Sequence, residues 1–154
     1  MTGHLEETTR ESIELAYHVL KRYSDYDLSG FRVHFCDMGI AKNGSSAGMM
    51  VFLAMVSAVE GKPVATQYIG TGELDLRGNI RAVGGIKGKV MAALRPGYEK
   101  LLVPQGNFAE ASRFASQKDS EHKLQIIPVS NITEAANWVF GEGNHRVCLP
   151  EKNS

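Results

Sequence analysis

This sequence has little of what would set it apart from an ordinary soluble protein. Its 154 residues include two cysteines, Cys36 and Cys148. Two thiols give no disulfide framework and are too few for a structural zinc site, so a reducing compartment is the simpler reading. Net charge is absent, with 17 Lys and Arg against 17 Asp and Glu. Long-range charge therefore steers neither nucleic acid nor an anionic membrane towards the chain. No apolar run approaches the ~18 residues of a transmembrane helix. The segment Met1-Thr2-Gly3-His4-Leu5-Glu6-Glu7 has neither a basic nor an apolar region of the signal-peptide kind. Internal repeats and low-complexity tracts are missing too. The expectation is a soluble, cytoplasmic protein.

What is present is one domain's worth of foldable chain, 43% hydrophobic and 22% charged, long enough to bury roughly 70% of its unfolded surface. Thr8-x-x-Glu11 reads as a capping box, and Ile13, Tyr17, Leu20 and Tyr23 recur at helical spacing, predicting a helix over 8–24. Phe31 to Cys36 alternates as a strand, Asp37 to Ser45 is loop, and 46–60 is a buried helix closed by Gly61 and Pro63. A strand over 64–76 turns at a two-residue Gly78-Asn79 loop and returns through Ile80 to Val83. Then come a helix at 86–94, a strand at 100–103, a helix at 107–117, a strand at 124–127 ended by Pro128, and a helix at 131–139. From Gly141 onward the composition is polar and predicts a flexible tail over 141–154. The fold class is α/β, with a mixed sheet of α+β character, β-α-β units and one hairpin, in a single compact domain over 1–140.

The most informative stretch is Gly44-Ser45-Ser46-Ala47-Gly48, immediately ahead of the apolar run Met49 to Val56. Small residues before a helix leave backbone N–H groups open at its start and a hydroxyl uncrowded. A serine there can bind an anion, or attack a carbonyl whose developing charge those N–H groups stabilise. As a nucleotide loop, Gly39-x4-Gly44 has P-loop spacing, but Ser45 stands where the phosphate-binding lysine belongs. As a nucleophile elbow, Gly44-x-Ser46-x-Gly48 matches G-x-S-x-G. That motif needs a strand running straight into the turn, whereas the nearest one ends near Cys36, and His122 and His145 lie in polar surroundings. As a serine with a base from elsewhere, it can draw on His34 or on the lysines of Gly84-Gly85-Ile86-Lys87-Gly88-Lys89. A lysine acts as a base only when neutral, which requires burial able to lower its pKa by about 3–5 units. Ile86, Val90, Ala93 and Leu94 mark the apolar face of that helix, and Lys87 and Lys89 border it on opposite sides. Periodicity does not separate a catalytic lysine from a solvated flank.

Several segments, in order and at consistent spacing, resemble the proteolytic domain of Lon proteases, a Ser-Lys peptidase family. His34 to Gly48 is similar to the loop leading to the family's serine, Thr71-Gly72-Glu73-Leu74-Asp75-Leu76-Arg77-Gly78 to its Thr-Gly-Glu segment, and Val83 to Lys89 to its Gly-Gly-Leu-Lys-Glu-Lys. Leu101-Leu102-Val103-Pro104 and Ile126-Ile127-Pro128 resemble its later strands. The likeness runs from about residue 2 to 140. Asn43 and Ser45 depart from it, standing where the family has Asp and Pro. The family's N-terminal strands, upstream of Thr2-Gly3, have no counterpart here.

The resemblance implies a serine endopeptidase domain with Ser46 as nucleophile, Lys89 as general base and Thr71 supporting the lysine. It implies no metal and no cofactor in this chain, ATP being used by an AAA+ module absent from it. Implied partners are unfolded protein substrates, that AAA+ ATPase in the full-length gene or on a separate chain, and further copies of the chain in a homohexamer. No membrane is implied. The alternative is a proteolytically weak or inactive Lon-like oligomerisation module of a DNA-acting AAA+ machine, DNA being a partner only in that case.

Overall fold

The computed structural model describes residues 7–30, 32, 44–95, 97–117 and 123–149. The strand expected over 31–36, most of the loop that follows it, and His34, Cys36, Asp37, Asn43 and His122 lie outside the described residues, Arg32 excepted.

Helix α1, Glu7–Tyr23, buries Ile13, Ala16, Val19, Leu20 and Tyr23 along one stripe and carries Lys21 and Arg22 in its last turn, where cations suit the helix dipole. Helix α2, Gly48–Glu60, is apolar on most of its circumference. Phe52, Leu53 and Val56 are fully buried because α1, strand β1 (Tyr68–Gly70) and helix α5 (Ile132–Phe140) all pack against it. Its Gly61 cap returns a backbone N–H to Ser57 O, the stop read from the sequence.

Among the described residues the main sheet has three parallel strands in the order β1, β4 (Lys100–Pro104) and β5 (Gln125–Val129), paired Ile69 to Leu101 and Leu102 to Ile127. Alternation along β4 divides the core. Leu102 joins Phe52, Ile127 and Val129 on the face covered by α1, α2 and α5. Leu101 and Val103 join Ile86, Val90, Ala93 and Ala111 on the face covered by α3 (Ile86–Ala93) and α4 (Phe108–Ser116). The result is helix, sheet and helix in three layers. Both crossovers step the same way across the sheet and place their helices on one face, as right-handed connections require.

Four sequence expectations are corrected here. The strand over 64–76 is interrupted: β1 stops at Gly70 and the short β2, Glu73–Leu74, pairs instead with β3, Ile80–Arg81. Between them the chain changes partner, with Thr71 N bonding Leu102 O and Gly72 N bonding Ser46 O. The hairpin loop is longer than Gly78-Asn79 and spans Asp75 to Asn79. Inside it the Asp75 carboxylate accepts from Arg77 N, Asn79 N, Asn79 Nδ2 and Arg81 Nε. Burial alone would raise that carboxyl, but these hydrogen bonds, from Asn79 above all, hold it below its ordinary value. Pro128 does not end β5, which continues to Val129. As the outer strand of the described sheet, β5 tolerates a missing N–H. The tail is not loose over 141–149. Val147 is 4% exposed in the core, Cys148 N bonds Tyr23 O, Arg146 N bonds the Tyr26 hydroxyl, and Leu149 N bonds Thr133 Oγ1. A polar average concealed two apolar residues, Val147 and Leu149, spaced so that both reach the core.

Candidate functional site

Ser46 lies in a 3-10 turn, Gly44–Ala47, that leads directly into α2. Ala47 occupies the N-cap position and no side chain caps the helix there. The turn is tied to the Thr71-Gly72 segment in both directions. Ser46 O accepts from Gly72 N over 2.9 Å and from Thr71 Oγ1 over 3.3 Å, while Gly72 O accepts from Met49 N over 3.0 Å. Glycine allows this closeness. A Cβ on Gly72 would stand 2.7 Å from Ile80 Cγ2, and one on Gly48 would stand 3.2 Å from Leu74 N, a backbone atom that cannot swing away.

Thr71 is 4% exposed. Its backbone continues the β1–β4 ladder through Leu102 O, which leaves its side chain on the side of the Ser46 turn. Its hydroxyl has two partners, donating to Ser46 O and accepting from Lys89 Nζ over 2.9 Å. The family resemblance implies a supporting role for Thr71, and the fold puts it between the segments bearing Ser46 and Lys89.

Lys89 belongs to the first turns of α3. That helix opens at Gly85, whose φ of +68° favours glycine. Periodicity left Lys87 and Lys89 equivalent; tertiary structure separates them. Lys87 is exposed and its Nζ lies 6.0 Å from the Phe114 ring centre. Lys89 is half-buried against Thr71, and burial pushes its pKa below the ordinary lysine value. Among the described residues no carboxylate forms an ion pair with it that would counter the shift.

His145, the described histidine weighed as an elbow partner, is engaged elsewhere. Its Nε2 lies 2.6 Å from Asn137 Oδ1 and its Nδ1 accepts from Val147 N. Arg77 and Gly78 belong to the hairpin turn, Arg77 N donating to Asp75 Oδ1 and Gly78 N to Asp75 O. Among the described residues no three His, Cys, Asp or Glu side chains gather as a metal site. One buried polar residue escaped sequence reasoning, which gave it only as the start of a helix. Asn107, just ahead of α4, bonds both the N–H and the C=O of Val83. Its residue type and position read as a helix cap, so no sequence signal pointed to Val83.

An oriented amine whose charged form burial disfavours, beside a hydroxyl and with a serine-bearing helix entry held to the same threonine, is suited to proton abstraction from an attacking hydroxyl. Comparison with known proteins bears on the same segments. Residues 1–141 match the family described as Lon protease (S16) C-terminal proteolytic domain. An archaeal Lon protease of Archaeoglobus fulgidus is 33% identical over 155 residues, covering 98% of this chain and 24% of its own length. A Lon protease of Aster yellows witches'-broom phytoplasma is 34% identical over 148 residues, covering 91% and 18%. An archaeal Lon protease of Pyrococcus abyssi is 36% identical over 148 residues, covering 95% and 14%. The chain thus spans a quarter or less of the length of each of these relatives.

Proposed function

The chain belongs to the Lon proteolytic-domain family, and from that premise we propose that it is a serine endopeptidase domain cleaving unfolded polypeptide, with Ser46 as nucleophile and Lys89 as general base. The observation that carries this reading is the hydrogen bond from Lys89 Nζ to Thr71 Oγ1, made by an amine whose charged form burial disfavours.

In this mechanism Ser46 Oγ attacks the scissile carbonyl as its proton passes to the neutral Lys89 amine, which then returns it to the leaving nitrogen. Thr71 takes up one amine N–H and adds no charge, so the nitrogen lone pair is aimed without raising the pKa. Backbone N–H groups at the start of α2 stabilise the tetrahedral oxyanion. Losing one such donor typically costs about 10²–10³ in rate. The step needs no metal or cofactor from this chain. Unfolding of substrate, driven by ATP, is assigned to an AAA+ module in the full-length gene or on a separate chain, working with a homohexamer of this domain in the cytoplasm. Among the described residues no helix is long and apolar enough to cross a membrane.

The test is cleavage of casein by the protein, by Ser46→Ala and by Lys89→Ala, with folding of each checked by circular dichroism. Cleavage lost in both folded variants supports the reading. Cleavage that survives in either variant overturns the assignment of that residue.

A further inference from the structure

Asn107 is 5% exposed. Its side chain meets the Val83 peptide on both sides, Oδ1 accepting from Val83 N over 2.9 Å and Nδ2 donating to Val83 O over 3.0 Å. An asparagine at a helix N-cap ordinarily accepts a bond from the first turn. Asn107 holds that position in α4 and makes no such bond. Its amide is directed instead to a segment 24 residues earlier. Gly106 lets the two segments approach, since a Cβ there would stand 3.3 Å from Ala82 Cβ.

Val83 leads through Gly84 and Gly85 into α3. A Cβ on either glycine would find nothing within 4 Å, so side-chain packing does not hold the chain between Val83 and Ile86. The buried stripe Ile86, Val90 and Ala93 sets how α3 is rolled on the sheet. The Val83 peptide sets where the helix starts. Asn107 follows the C-terminal end of β4, the same strand whose Leu102 O holds Thr71 N. One strand end therefore registers both sides of the contact between Lys89 and Thr71.

We infer that Asn107 is a positioning residue of this site: its two hydrogen bonds to Val83 set the entry of α3 so that the Lys89 amine reaches Thr71. This rests on the peptidase reading above and names a group that acts through Lys89 without touching substrate.

The test compares the protein with Asn107→Ala, which removes both bonds, and Asn107→Asp, which keeps an acceptor for Val83 N and loses the donor to Val83 O. Cleavage of a fluorogenic unfolded substrate is followed against pH at a temperature where circular dichroism shows each variant folded. Titration of the Lys89 side chain is followed separately by NMR of lysine-labelled protein. The expected result for Asn107→Ala is a kcat lower by about 10- to 100-fold, with KM changed by less than about twofold. Both the rising limb of the rate profile and the Lys89 titration move towards the ordinary lysine value. Asn107→Asp lies between, and decides the matter if the alanine variant does not fold. A lower melting temperature with unchanged kcat, pH limb and Lys89 titration overturns the inference and leaves Asn107 a structural residue. Cleavage that survives Ser46→Ala overturns Ser46 as the nucleophile instead, and the Lys89 titration still reports on Asn107.

Discussion

The Lys89 amine donates to the Thr71 hydroxyl over 2.9 Å, though the two residues are 18 apart in sequence, Lys89 in α3 and Thr71 in the link between β1 and β2. The partner is uncharged, and that matters. A carboxylate in its place would favour the ammonium and raise the pKa, whereas a hydroxyl orients the nitrogen and leaves burial to dominate.

Activity should therefore rise with pH through a limb lying below the ordinary lysine value of 10.5, because only the neutral amine accepts a proton. A rate profile of peptide cleavage from neutral to alkaline pH checks this. A limb at or above the ordinary lysine value would contradict it.

The same depressed pKa has a consequence for stability. The folded state binds fewer protons at Lys89 than the unfolded state, so its contribution rises with pH between the folded pKa and 10.5 and is constant outside that window. Lys89→Met should remove this slope and, at neutral pH, leave the protein at least as stable as the parent. Urea midpoints taken across the pH range measure it.

Thr71→Val keeps the shape of a residue that is 4% exposed and removes both hydroxyl bonds. The expected losses are about 1 kcal/mol of stability and about 100-fold in kcat. Thr71→Ser should restore most of the activity. Steady-state kinetics and thermal unfolding of the two variants separate these effects.

Gly72→Ala should destabilise the protein by about 1–3 kcal/mol, because its Cβ would stand 2.7 Å from Ile80 Cγ2 and 3.4 Å from Met49 Cβ. The clash lies between the Ser46 turn and the hairpin. Cleavage should accordingly fall further than the lost stability accounts for, measured at a temperature where both proteins are folded.

Val147→Ala should lower stability by about 2 kcal/mol, since the side chain is 4% exposed and packs into the core. A midpoint of chemical unfolding equal to that of the parent would show the 141–149 segment to be dispensable.

Much of the fold could be read from local pattern. The stripe Ile13, Leu20 and Tyr23 defines α1, and the apolar run from Met49 defines α2. The alternation of Leu101, Leu102 and Val103 is that of a strand buried on both faces. These features depend on each residue and its near neighbours, so sequence alone determined them, together with Ser46 as the residue to explain. The exchange of partners at Thr71-Gly72 could not be read this way. It depends on Leu102 and Ser46, which adjacent positions do not reveal. The five-residue turn at Asp75 was hidden by the familiar Gly-Asn signal, and the packed 141–149 segment by its polar average.

The choice between Lys87 and Lys89 marks the boundary most clearly. Helical periodicity gives two flanking lysines equal standing, since it measures angle about one axis and carries no information on what faces each side. Only the elements packed around α3 distinguish them, with Thr71, just past the end of β1, on one flank and Phe114 of α4 on the other. Sequence determined which residue types were available for the chemistry; tertiary structure decided which amine is half-buried against a threonine, because burial belongs to the whole packed chain and to no segment of it.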